Sequence, residues 1–301
     1  MSQNVTGTTM LRRQIGRKFE SLRKVAGLTM DQAAERLDRA RATLHRIENG
    51  AEHVRFRQAD VQQMLDLYSA SSEDRELLLA MTAATRENKN WWHDYFSSGL
   101  PRWFQLYVGL ESAASAIRQY QPELVPGLLQ TRAYAEHVFT MPGSPISLGD
   151  NTEQNRAVEL RVERQGLLTR FAAPQLSVIL NEAVLRRPVG SAKIMLEQLH
   201  QLLKATELPN VTVQILEFSA GLHAGAMSGA FSILDFPQGS GGEVLEPTVT
   251  YLDTTTGAIY LDKPRETAAY NAIWTDVAGR ALNESRSKAM IHRIAEEYSR
   301  A

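Results

Sequence analysis

Residues 27–50 read GLTMDQAAERLDRARATLHRIENG, and this stretch decides how the first quarter of the 301-residue chain folds. Gly27 stops an amphipathic helix in which Leu11, Ile15, Phe19 and Leu22 share one face. Thr29 is placed to cap the next helix, with Gln32 completing a capping box. Ala33 and Ala34 are small enough for two helices to cross closely, and Leu37, Leu44 and Ile47 supply apolar anchors. A third helix runs from about Arg41 to Glu48 and closes on Asn49-Gly50.

Two short helices around a tight turn leave one face of the second uncovered. That face carries Arg41, Ala42, His45 and Arg46, the side chains a helix-turn-helix offers to base edges in a major groove. Arginine matches guanine O6 and N7. Thr29, Thr43, Asn49, Arg55 and Arg57 are better placed for phosphate, which positions without specifying. One such helix reads only a few base pairs, so a homodimer on a pseudo-palindromic double-stranded operator is expected. The plainer alternative is a helical hairpin that binds no nucleic acid. Val61, Met64, Leu65 and Tyr68 predict a fourth helix, and Leu77, Leu78, Met81 and Ala84 a fifth.

With these residues in view, the run GLTMDQAAERL…RATLHRIENG resembles the Xre/lambda-repressor type of helix-turn-helix. The resemblance covers residues 10–84 and implies an all-α, five-helix DNA-binding domain. It further implies that Arg23 pairs with Glu48 as a structural contact. The chain departs from the family pattern at Met30, where a phosphate-touching Gln is usual. Asp38-Arg39 replaces a Gly-Val turn, and Ala40 replaces a Ser or Thr cap, at a cost of about 1 kcal/mol.

The net charge of −1 looks wrong for a nucleic-acid binder, but the charge is unevenly spread. Residues 1–70 hold twelve Lys and Arg against eight Asp and Glu, a balance of +4, while the remainder balances at −5. With no cysteine, disulfides, thiol catalysis and Cys-based metal sites are excluded. No secretory signal and no membrane span is read, so a cytoplasmic protein is expected. The seven histidines show no zinc spacing, no phosphate loop is present, and no cofactor is expected.

Residues 85–104 are a polar run followed by Trp91, Trp92, Tyr95, Phe96 and Trp103, read as an aromatic-rich interdomain linker. Residues 105–301 read as mixed α and β, so the chain as a whole is α+β. Helical patterns cover about 105–119, 127–139, 152–171, 191–205, 265–282 and 286–299. Strand patterns cover 175–180, 210–218, 230–236, 248–254 and 258–262, the last two joined by a hairpin turn at Thr255, Thr256 and Gly257. Strands linked by short turns predict a mostly antiparallel sheet packed by helices.

Several runs here resemble a second family in order: LVPGLLQT (124–131), RAVELRVERQGLL (156–168), ILNEAVLRRPVG (179–190), MLEQLHQLL (195–203), LPNVTVQILEF (208–218) and GAFSILDF (229–236). They are similar to the C-terminal, toxin–antitoxin-like domain of actinobacterial Xre-type regulators, the WhiJ-like group. The resemblance implies a transcriptional regulator, usually a repressor of developmental or secondary-metabolism genes, controlled by a small protein from a neighbouring gene. A domain that senses a small molecule, through a closed apolar pocket near His223 and Glu182, is the alternative; an enzyme fused to a DNA-binding head is the third.

Candidate effector or partner residues are Glu111, Arg161, Arg164, Glu182 and His223. Arg161 and Arg164 share a helical face, which is either a solvated salt-bridged surface or an anion or acidic-partner site. His223 lies in a glycine-rich run that is either a plain loop before a strand or the lining of a pocket or partner-docking surface. Glu111, Glu182, His223 and Asp253 form no catalytic constellation in the sequence, and no enzyme activity is expected.

Overall fold

The computed structural model describes residues 6–51, 54–87, 96–97, 100–141, 151–237, 246–255 and 257–300. The chain divides into two compact units, Met1–Tyr95 and Phe96–Ala301.

The first unit is helical: α1 (Thr6–Val25), α2 (Met30–Arg36), α3 (Arg41–Glu48), α4 (Gln58–Leu67) and α5 (Ser72–Glu87). Its core joins Ile15 and Phe19 of α1 to Leu44 of α3, Leu65 of α4 and Leu78 of α5, all without solvent exposure. Thr29 Oγ1 accepts from the Gln32 amide at 3.2 Å, and Gln32 Oε1 accepts from the Thr29 amide at 2.9 Å, which fixes the start of α2. Asp38 turns the chain between α2 and α3 with φ of 51°, a conformation its short polar side chain tolerates. Arg39 Nη2 donates to Asp60 Oδ1 at 2.7 Å and ties that turn to α4. α3 begins at Ala40 with no side-chain cap.

Of the aromatic stretch, Trp91, Trp92 and Tyr95 lie outside the described residues, as do the side chains of Phe96 and Trp103. The second unit opens with β1 (Phe96–Ser97) paired to β2 (Leu100–Pro101). There follow α6 (Arg102–Ala113), β3 (Ala116–Gln121), α7 (Arg132–Thr140), α8 (Asn151–Arg164), β4 (Gln175–Asn181), α9 (Glu182–Arg186), α10 (Ala192–Ala205), β5 (Val211–Leu216) and α11 (Gly225–Ser228). The chain then runs through β6 (Phe231–Asp235), β7 (Val249–Thr254), β8 (Gly257–Leu261), α12 (Pro264–Arg280) and α13 (Glu284–Ser299). Among the described residues no helix is long and apolar enough to cross a membrane.

Six strands form one mixed sheet in the order β5-β4-β3-β6-β7-β8. The pairings β3–β6, β6–β7 and β7–β8 are antiparallel, while β3–β4 and β4–β5 are parallel. The sheet is thus mostly antiparallel, with a parallel part the sequence reading did not foresee. β4 and β5 are each reached by a crossover through helices, a connection that returns the chain in the same direction. Among the described residues, the connections from β6 to β8 contain no helix.

The largest correction concerns β3. Residues 105–119 were expected to be one helix, yet α6 ends at Ala113 and Ala116–Gln121 is a strand inside the sheet. Its polar residues hide its character, because their partners are remote in sequence. Arg118 donates to Asn271 Oδ1 at 2.7 Å and Asp235 Oδ2 at 2.8 Å. Gln119 Nε2 donates to Ser232 Oγ at 3.0 Å and Tyr107 Oη at 3.1 Å. The expected helix over 127–139 is likewise a 3-10 turn, Gly127–Leu129, followed by α7.

The sheet register sorts side chains between two faces. Gln119 pairs with Ser232, and Ser232 with Tyr251, so these three share one face. Tyr120 lies on the other, packed with Ile179, Phe231, Ile233 and Val277 of α12.

Candidate functional site

In the first unit Arg41, Ala42, His45 and Arg46 are all exposed on α3. Arg41 Nε lies 3.1 Å from Asp31 Oδ1, a pair about three-quarters open to solvent and of little energetic weight. Arg46 Nη2 donates to Thr43 Oγ1 at 3.2 Å, and Asn49 Nδ2 lies 3.2 Å from the His45 ring nitrogens. Thr29, Asn49, Arg55 and Arg57 are exposed and Thr43 is half-buried.

Arg23 and Glu48 form an enclosed bidentate pair: Nε to Oε1 at 2.7 Å and Nη2 to Oε2 at 2.9 Å, with Arg23 Nη1 also on the Leu28 carbonyl at 2.9 Å. The Glu48 hydrogen bond raises the Arg23 pKa above its ordinary value, outweighing burial. The pair holds the C-terminal end of α3 to α1 while the face bearing Arg41, Ala42, His45 and Arg46 stays open.

Two glycines allow the same approach. A Cβ at Gly16 would lie 2.2 Å from the Glu48 carbonyl oxygen. Gly50, with φ of 59°, passes so near α1 that a Cβ would meet the Arg13 backbone at 2.4 Å. Gly50 was legible as the closing residue; Gly16 was missed, because a glycine inside a helical pattern carries no mark of what it touches.

The second unit contains a cavity of about 540 Å³. Its floor is the sheet face bearing Gln119, Gln121, Ser232, Tyr251 and Asp253; α6 contributes Phe104, Tyr107 and Glu111, α7 His137 to Phe139, and α8 Arg161 and Arg164. Glu111, Arg161 and Arg164 therefore meet. Arg164 Nη2 lies 2.9 and 2.7 Å from the two Glu111 oxygens, and its guanidinium sits 4.6 Å over the Phe104 ring. The Glu111 side chain is 2% exposed, so this is an internal pair rather than a solvated helix face.

Arg161 differs. Its Nη1 donates to Gln130 Oε1 at 2.8 Å, and its guanidinium sits 4.2 Å over Phe139. Among the described residues it makes no ion pair, and its Nε has no acceptor. Burial pulls its pKa down to about 10; the neighbouring Arg164 charge adds to this, and Asp253 and Glu111 oppose it. Tyr107 of α6 lies over Tyr251 of the floor, ring centroids 4.2 Å apart and the planes tilted by 33°. Burial first, then the Asp253 charge, pushes the Tyr251 phenol up, so its hydroxyl stays protonated.

The run PGLLQT builds this corner. Pro126 opens the 3-10 turn, and Leu128 and Leu129 enter the core. Gly127 lies against the guanidinium, where a Cβ would stand 3.5 Å from Arg161 Nε. Gln130 holds Arg161 and donates to the Val125 carbonyl at 2.7 Å. Thr131 caps α7 by accepting from the Tyr134 amide at 3.2 Å.

Glu182 and His223 do not line this cavity. Glu182 accepts from Arg186 Nε at 2.7 Å and from the Phe218 amide at 3.0 Å, joining α9 to the turn after β5. Burial raises its pKa, but those two donors outweigh it and hold the carboxyl below its ordinary value. The His223 ring packs edge-on to Tyr120 at 5.8 Å, across the sheet from the cavity floor. The sequence reading missed Tyr107, Gln119, Gln130 and Tyr251; only Gln130 carried a signal, its place in the PGLLQT run.

Residues 14–78 match the sequence profile of a helix-turn-helix domain, which agrees with α1–α5 and supports a DNA-binding regulator. No curated protein and no solved structure matches the chain. Residues 104–293, holding the mixed sheet and the cavity, match a profile described as a domain of unknown function (DUF5753), and with most of its length so matched the chain belongs to that family.

Proposed function

We propose that the protein is a sequence-specific transcriptional regulator, with α3 reading base edges through Arg41, Ala42, His45 and Arg46. The observation that carries this reading is the exposed face of α3, held to α1 by the Arg23–Glu48 pair within a helix-turn-helix domain. Thr29, Thr43, Asn49, Arg55 and Arg57 contact phosphate, and two copies bind a pseudo-palindromic operator. The test is selection of bound fragments from random-sequence DNA by the full-length protein. A recovered motif, bound at least about 10³-fold more tightly than unrelated DNA, is expected. Recovery of no motif overturns the reading.

The second unit controls binding. Repression of developmental or secondary-metabolism genes, and release by a small protein from a neighbouring gene, rest on the resemblance alone. The cavity favours a small molecule as the controlling signal, since its volume is in the usual range for ligand sites of about 300–1,000 Å³. Either signal must bind the DNA-competent and incompetent states unequally. DNA release assayed with the neighbouring gene's product and, separately, with cavity ligands distinguishes the two.

A further inference from the structure

We propose that the cavity of the second unit binds an amphiphilic organic monoanion, its carboxylate or like oxyanion received by Arg161 and its apolar body lying between Phe139 and the Tyr107–Tyr251 pair. This deepens the small-molecule reading of control and depends on it only for the effect on DNA.

Charge decides the class of ligand. Among the described residues the cavity carries five formally charged side chains, of which Glu111 and Arg164 compensate each other and Arg187 pairs with Glu123. Asp253 stands beside the Tyr251 phenol, whose proton its charge helps to hold. Arg161 is left with a neutral amide and a ring face as its contacts. A guanidinium drawn out of water with no carboxylate in direct contact among the described residues, Asp253 and Glu111 acting on it only from a distance, is costly, and that cost is relieved when an oxyanion arrives. Nη1 is already taken by Gln130, so the incoming group meets the rest of the fork.

Shape decides the remainder. Two strips of the wall are apolar: Leu124, Val125 and Leu128 on one, and Val138, Met141 and the Phe139 ring that faces Arg161 on the other. A small inorganic anion would leave these surfaces uncovered, and a neutral hydrocarbon would leave Arg161 uncompensated. A second carboxylate on the ligand would be repelled by Asp253, which lines the space.

The test uses the full-length protein and two matched probe pairs: decanoate against 1-decanol, and 2-naphthylacetate against 2-naphthaleneethanol. Affinities are read by isothermal titration. At least one carboxylate is expected to bind about ten- to hundredfold more tightly than its alcohol. The variant Arg161→Gln should lose that preference while still binding the alcohol, which shows that the cavity is intact. Binding of neither acid, equal binding of acid and alcohol, or a preference that survives Arg161→Gln each overturns the proposal. DNA binding measured on the same samples stands apart. Failure to bind DNA counts against the regulator reading, whereas failure to bind either acid counts only against the monoanion.

Discussion

Gly16 of α1 and Glu48 of α3 approach so closely that a methyl group on the glycine would overlap the Glu48 carbonyl, at 2.2 Å. The obstacle is backbone at the end of a helix, which cannot swing aside as a side chain can. Gly16→Ala should destabilise the first unit by about 1–3 kcal/mol or more, despite the better helix propensity of alanine. Denaturant melts followed by helical circular dichroism check this; unchanged stability would mean that the two helices lie further apart.

The same junction contains the Arg23–Glu48 pair. Glu48→Ala strands an enclosed guanidinium and should cost about 3–5 kcal/mol. The double variant Arg23→Met, Glu48→Leu should recover much of that loss, because the stranded charge goes with it. Additive losses in the cycle would show the two side chains to be independent.

On the reading face, Arg41→Ala should weaken operator binding by about 1–3 kcal/mol and relax the sequence preference at one position. Arg57→Ala should weaken all sequences alike and lower the salt dependence by about one unit of slope. Titrations at several salt concentrations against operator and mismatched DNA separate the two. Uniform weakening by Arg41→Ala would remove it from the base-reading set.

Glu182 gives a pH test with a definite sign. Its folded pKa lies below the ordinary glutamate value, so its contribution is fully present above that value and is lost as pH falls through the folded one. The second unit of Glu182→Gln should therefore be less stable than wild type near neutrality, and the gap should narrow in acid. Thermal melts from pH 7 down to about pH 3 read this; a constant gap would assign the loss to the turn geometry instead.

The helix-turn-helix was legible because its signals are local. Thr29 with Gln32, the alanine pair and the Asn49-Gly50 close each act within one or two helical turns. The cavity was legible only in pieces. Glu111, Arg161 and Arg164 could be named as chemistry-bearing residues, but Arg164 finds Glu111 across 53 positions, and no spacing rule spans that distance. β3 was lost for the same reason: an Arg-Gln run looks like solvent-facing helix until Ser232, Asp235 and Asn271 are brought beside it. Glu182 and His223 stand apart from this cavity: Glu182 is held by Arg186 and the Phe218 amide, and His223 packs on Tyr120, and no local spacing announces the latter two partners.

The place of β3 in the sheet sets an order of events during synthesis. It pairs on one edge with Gln175–Asn181 and on the other with Phe231–Asp235, so neither neighbour exists when it leaves the ribosome. The first unit needs nothing beyond its own short-range helices, the kind of topology that forms fastest, and domains made first fold first. Each newly made chain therefore passes through an interval in which the helices of the first unit are complete and the sheet of the second is still unpaired.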